Sequence, residues 1–343
     1  MLRGRGIEMS AGWRFVARVS AMQIIVHLVA ATGYYLYLAQ SVVAFPEAFR
    51  NVFVFWLTGP LPLFLLLPLA LAVPRTANYE KALLAAAAGN VCPEPEATTA
   101  KRQMLAQADY SAGMALLQWV FNVLAVVGLL YWQSHEAPER LMRGLMAGLG
   151  IFAPLVAIAV GLATDRAVRP YFPLLFPDGR PSTYGHKRDS LDNRLLVAFV
   201  LAGPTASGLI AAIGYVKSLD ILTNPAQGYF HLQAMIGMML LAIGGSFVVA
   251  LIFKQILAKD ALEGLARAND ALERLARGER NVRVPVYGTD EIGQLSERVN
   301  ALTEALSREA PAAGKLNGAD TAGTPPEAAI IVAEATPEAL PRP

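Results

Sequence analysis

The sequence predicts an all-α membrane protein of six transmembrane helices, the sixth running on into a two-helix module outside the bilayer. Three observations carry this. Hydrophobic residues make up 55% of the chain and charged ones 16%, too apolar a balance for an ordinary soluble domain. The apolar residues fall into span-length blocks at 22–45, 51–73, 111–132, 144–163, 195–216 and 229–253. No proline follows the last block before Arg277, so one helix can leave the membrane as KQILAKDALEGLARANDALERLAR. The expected domains are a basic N-terminus (1–21), a six-helix membrane domain (22–253), the module (254–307) and a tail (308–343). That tail is rich in Ala, Pro, Gly and Glu without any period, so it is expected to be disordered.

In order along the chain, residues 1–21 carry Arg3, Arg5, Arg14 and Arg18 around Trp13 and Phe15. They read as a topology anchor on anionic lipid. The block after Met22 is span-length and no small-residue cleavage site follows it, which argues against a cleavable signal peptide. Six crossings place both termini on one side. The segments on that side hold Arg75, Lys81, Lys101, Arg102, Arg166, Arg169, Arg180, Lys187, Arg188 and Arg194; the other side holds only Arg50, Arg140, Arg143 and Lys217. By the positive-inside rule the termini are cytoplasmic and the protein is multi-pass in the cell (inner) membrane. The outer loops are short (46–50, 133–143 and 217–228), so a stimulus must be read within the bilayer, at its rim, or by a partner. Residues 74–110 are expected to form a helical hairpin with a turn at CPEPE, and 164–194 a loop too rich in turn residues for a long helix. Prolines 60, 62, 68, 154 and 204 are expected to kink their spans, and the six spans read as three hairpins.

No Asp, Glu, Lys or Arg falls inside the spans as drawn, which argues against a pump or proton-coupled transporter. Milder polar groups remain: Gln23, His27, Tyr34, Tyr35, Gln118 and Asn122, read first as interhelical hydrogen bonding. Trp56, Tyr131 and Trp132 read as an interfacial belt, and Met235, Met238 and Met239 as packing. One cysteine, Cys92, and four scattered histidines leave no disulfide, metal site or cofactor to expect. The one candidate ligand site is an outer mouth of Arg50, His135, Lys217, His231 and Gln233, suited to an anionic lipid or metabolite.

The module's first helix repeats Ala261, Leu265, Ala268, Leu272 and Leu275 at steps of four and three, the seam of a coiled coil. Gly278 stops it. An extended connector alternates Val282, Val284 and Val286. Asp290 is placed to N-cap a second helix, and Glu291 is favoured by its dipole. The second seam is Ile292, Leu295, Val299, Leu302 and Leu306.

Leu275-Ala276-Arg277-Gly278, then Val282-Arg283-Val284-Pro285-Val286, then Asp290-Glu291-Ile292-Gly293-Gln294-Leu295 and Asn300, resemble a HAMP domain. The resemblance implies a parallel four-helix bundle formed by a homodimer, with the seams, Gly278, Asp290, Glu291 and Gly293 relaying the signal. Two positions depart from the family: Gly264 stands where a proline is usual, leaving the helix's approach angle open. Arg280 stands where an apolar residue is usual, which predicts a connector less tightly tied to the bundle.

Six spans with small outer loops and a HAMP-like module resemble the membrane half of actinobacterial class III adenylyl cyclases. Asp165-Arg166-Ala167-Val168-Arg169-Pro170, Arg194-Leu195-Leu196 and Leu201-Ala202-Gly203-Pro204 add to that likeness. Residues 307–343 cannot form a cyclase domain, so the arrangement carries over and the activity does not. The expected function is a non-enzymatic membrane receptor and relay acting through a HAMP homodimer on a separate cytoplasmic output protein, such as a cyclase or kinase. Membrane lipid is expected as a partner and nucleic acid is not. The alternatives are a small-solute or lipid transporter with a cytoplasmic dimerisation module, or a regulatory fragment of a membrane adenylyl cyclase.

Overall fold

The computed structural model describes residues 2–41, 46–58, 79–86, 88, 90, 92–134, 138–184, 195–196, 199–200 and 203–316. Among these residues no strand occurs, and five helices are long and apolar enough to cross a membrane. Helix α1 (Leu2–Ser41) joins the basic lead and the first span in one run. Helix α2 (Pro46–Thr58) begins the second, whose remainder lies outside the described residues. The helical stretch 79–86 and α3 (Glu94–Leu105) are the expected hairpin. Pro95 in the first turn of α3 costs no hydrogen bond, since the N–H it lacks would have no partner there.

Helix α4 (Gln107–Ser134) is the third span. The fourth is α5 (Pro138–Ala147), a π-helical turn at Gly148–Phe152, and α6 (Ala153–Val168). Short helical turns at Arg169–Tyr171, Phe172–Leu175 (α7) and Pro181–Tyr184 then fold the expected loop into a compact segment. Gly203 leaves helical geometry and Pro204 starts α8 (Pro204–Thr223), so the fifth crossing runs on to Thr223, past the 216 expected. Lys217 and Asp220 therefore lie in the last turns of a span rather than in an outer loop. Helix α9 (Gly228–Ala276) is the sixth span and the first module helix in one piece, about 70 Å long. Helix α10 (Glu291–Leu316) closes the described chain, running past the expected module end at 307. The tail expected to be disordered lies, from 317 on, outside the described residues.

The membrane core is built from α1, α2, α4 and the fourth span, with Ile213 further along the chain in it and Met235, Met238, Met239 and Ala242 packed against it, and its polar groups serve one another. Trp119 Nε1 donates to His27 Nδ1 at 2.9 Å, and Trp56 Nε1 donates to Asn122 Oδ1 at 2.6 Å. Gln23 Nε2 reaches Ser111 Oγ and Thr164 Oγ1 at 3.1 and 3.2 Å. Trp56 is thus a core residue, 3% exposed, and not part of an interfacial belt. Tyr131 and Trp132, 63% and 73% exposed, do suit that belt. Gly148 is what lets α4 and the fourth span touch. A Cβ there would lie 2.6 Å from both Val123 methyls and 2.8 Å from Tyr34 Oη, which itself donates to the Gly144 carbonyl.

A second core sits at the module end of the bundle. Tyr79, Leu83, Ala100 and Met104 of the hairpin meet Val168, Phe172, Leu175 and Phe176 beyond the fourth span, with Val19 of α1. Lys101 Nζ donates to Tyr184 Oη at 2.7 Å and lies over its ring, fixing the segment's far end to α3.

Candidate signal-relay site

The module is built by stopping α9, turning the chain, and starting α10 alongside. Gly278 adopts φ +90°, the Glu279 N–H bonds the Arg274 carbonyl and the Gly278 N–H that of Leu275. These two bonds make a Schellman stop, which a β-carbon at Gly278 would strain. Asp290 caps α10 as expected: its Oδ1 accepts the Gly293 N–H at 2.9 Å. A Cβ at Gly293 would strike the Gly288 carbonyl, so the glycine lets the connector lie against the helix start. Glu291, the first residue of α10, is exposed.

The connector is held firmly, contrary to the looseness expected from Arg280. Val282, Val284 and Val286 are 1%, 4% and 2% exposed. The Asn300 amide clamps Val284 at both ends, accepting from its N–H at 2.8 Å and donating to its carbonyl at 2.9 Å. Ser307 Oγ donates to the Arg280 carbonyl, so the Arg280 backbone is used even though its side chain is not apolar.

The expected seams divide by face. Ala268 and Val299 are buried within the protomer, together with Ala271, and Leu275 packs against this cluster. Ala261, Ile292 and Leu295 are half-buried. Gly264 packs so closely on Ile292 that any β-carbon would have to displace it, so the missing proline belongs to a tight α9–α10 contact. Leu265, Leu272, Leu302 and Leu306 remain 40–49% exposed. Each helix of the module thus leaves a leucine edge that its own protomer does not cover.

The expected outer mouth is arranged differently. His135 lies outside the described residues. Arg50 is exposed on α2; His231 lies beside the Phe230 ring and Gln233 bonds Tyr229, both on their own helix. Lys217 is 4% exposed and pairs with Asp220 at 3.2 Å, and Asp220 lies 3.6 Å from Arg143. What gathers at that end is Arg143, Lys217 and Asp220. Only the three-residue spacing of Lys217 and Asp220 hinted at it.

A larger group escaped sequence reasoning. Asp290, the cap of α10, and Glu297 and Glu304 within it stand seven residues apart, and each meets the segment after the fourth span. Asp290 Oδ2 lies 3.7 Å from Arg169 Nη2, which also pairs with Asp165 at 2.9 Å. Glu297 accepts the Ser182 N–H at 3.0 Å and its hydroxyl at 2.6 Å. Arg180 pairs with Glu304 at 2.6 Å, and Arg283 of the connector donates to the Pro177 carbonyl. Among the described residues no cluster of His, Cys, Asp or Glu has the makings of a metal site.

Comparison with known proteins bears directly on this module. The HAMP domain family model matches residues 256–308. Signal transduction histidine-protein kinase/phosphatases MprB of Mycobacterium sp. strains KMS, JLS and MCS are each 39% identical over 80 residues. Each match covers 22% of this chain and 16% of the kinase. No solved structure matches the chain. The matched HAMP domain is thus continuous with a helix long and apolar enough to cross a membrane.

Proposed function

We propose that the chain is a receptor and relay whose membrane domain biases a HAMP homodimer, which in turn acts on a cytoplasmic output protein of the kinase or cyclase kind. The observation that carries this is the pair of uncovered leucine edges, Leu265 with Leu272 and Leu302 with Leu306, on a helix that begins inside the membrane. A second copy in parallel brings like edges together, and leucines exposed at steps of seven and four are what such a seam needs. The charge asymmetry supports cytoplasmic termini. The chain's own part in this is mechanical and non-enzymatic. The membrane half is similar in layout to the regulatory half of actinobacterial class III adenylyl cyclases, with Asp165 to Pro170 the most telling stretch. Interhelical bonding of Gln23, His27, Asn122 and Trp56 favours relay over transport, because those groups hold helices together instead of lining a path.

Helical phase tests the reading. In a Cys92→Ser background, Leu302→Cys should cross-link between protomers far faster than Ala301→Cys, about 100° round the helix. Inserting two residues between Lys259 and Asp260 turns the module by about 200° relative to the span, and seven return it to within about 20°. The seven-residue insertion should keep the parental cross-linking pattern and the two-residue one should lose it. Equal cross-linking at positions 301 and 302 in the parent would rule out the dimer.

A further inference from the structure

We propose that residues 165–184 are a clasp that ties the second HAMP helix to the end of the fourth span, so that two membrane helices hold the module and not one. The inference rests on the relay reading and adds a route to it. Asp290, Glu297 and Glu304 repeat every seven residues and so form one stripe along α10. From Leu302, Glu297 is about 140° round the helix and Glu304 about 160°, on the side away from the leucine edge. Clasp and dimer seam therefore use opposite faces, and both can be occupied at once.

The segment is shaped to this stripe. Arg169 follows directly on the fourth span and divides itself between Asp165 and Asp290. Ser182 offers its N–H and its hydroxyl together to the two oxygens of Glu297, from the first turn of a short helix. Gly179, at φ +67°, lies so near Asn300 that a β-carbon would come within 2.7 Å of its amide nitrogen. Asn300 is the residue that holds the connector. Behind the clasp, Phe172, Leu175 and Phe176 are packed into the second core, and Tyr184 is tied to Lys101. A shift of the fourth span thus moves a packed unit, and that unit grips α10. Because α9 enters the module from the sixth span, relative movement of the fourth and sixth spans slides α10 along α9. This gives the membrane domain a signal that needs no rotation of α9 at all.

The test uses the full chain in lipid nanodiscs with Cys92→Ser. A Ser182→Cys/Glu297→Cys pair should be bridged within one protomer by a short bifunctional thiol reagent, and a Ser182→Cys/Arg298→Cys pair should not. Equal bridging overturns the clasp. Glu297→Ala with Glu304→Ala should speed hydrogen exchange of the α10 amides by about fivefold, as loss of about 1 kcal/mol of contacts requires. In that variant the Leu302→Cys cross-linking rate should also change. Faster exchange with unchanged cross-linking would show a contact without coupling and overturn the second route, leaving the dimer standing. If Leu302→Cys cross-links in neither protein, the dimer reading fails instead, and the bridging and exchange results decide the clasp.

Discussion

In the bundle of α1, α2, α4 and the fourth span, Gly33, Gly148 and Gly161 and several polar side chains sit where neighbours touch; in the membrane part of α9, Gly237, Gly244 and Gly245 meet nothing. Gly148 faces Val123 and Tyr34 at distances no β-carbon tolerates, whereas Gly237, Gly244 and Gly245 have open space around them. His27, Asn122 and Gln23 are bonded across helices. In α9, Leu240, Leu241 and Phe247 are more than 60% exposed, and none of the membrane window within Pro225–Phe247 is buried. The sixth helix touches the core through Met235, Met238, Met239 and Ala242 and has most of its remaining surface left for lipid or a second copy.

The largest expected effect tests the bundle. Gly148→Val pushes branched carbon into Val123 and Tyr34 Oη, and overpacking against two neighbours at once costs about 3 kcal/mol or more. Thermal unfolding in detergent should show a clear fall in midpoint. Gly245→Ala, with nothing near its β-carbon, should be neutral or raise the midpoint slightly, since Ala favours helix over Gly by up to about 1 kcal/mol. Equal losses at both positions would erase the contrast between the two regions.

Next in size is Asn300→Ala in the module. It removes both bonds to Val284 and leaves a buried N–H and carbonyl without partners, for about 2–3 kcal/mol. Proteolysis after Arg280 and Arg283 should accelerate strongly while the membrane bundle melts as before. Asn300→Asp keeps the acceptor and loses the donor, and should fall between. A connector no more sensitive in Asn300→Ala than in the parent would mean that Val282 and Val286 alone hold it.

Gly264→Ala asks a finer question of the same module. Its methyl group would overlap Ile292, so the helices must part by about 1 Å or Ile292 must turn. The expected loss is about 1 kcal/mol, and Ile292→Ala should cancel part of it in a double-mutant cycle. Simple additivity would show that the two residues do not press on each other.

These contrasts also show how far the sequence could be read. Hydropathy blocks gave the described spans because exclusion of charge from the bilayer acts on each residue locally. Gly278 and Asp290 were legible for the same reason: a helix stop and a helix cap are set by single residues next to the helix they serve. Trp56 was misread as an interfacial residue because its partner, Asn122, is on another span. The clasp was invisible because its pairs, Ser182 with Glu297 and Arg180 with Glu304, join a turn-rich segment to the polar face of a distant helix. On sequence alone Glu297 reads as a solvated outward residue; its exact seven-residue spacing from Asp290 and Glu304, opposite the leucine edge, was the one available sign.

The smallest expected effect separates local from distant work at a single residue. Asp290 uses one oxygen to cap α10 through the Gly293 N–H and turns the other toward Arg169. Asp290→Asn keeps a cap oxygen and gives up the charge, while Asp290→Ala gives up both. Loss of a cap costs about 1 kcal/mol. The ion pair, at 3.7 Å and with Arg169 shared with Asp165, is worth about 0.5 kcal/mol. Exchange of the first-turn amides of α10 should therefore rise in the order parent, Asn, Ala. Exchange in residues 169–175 should respond to both variants alike, because both lose the charge. If Asn matches the parent at both places, Asp290 is a cap and the clasp begins at Glu297. If Asn matches Ala at both, the carboxylate's pairing with Arg169 is what starts the second HAMP helix, and the fourth span has its grip at the first turn.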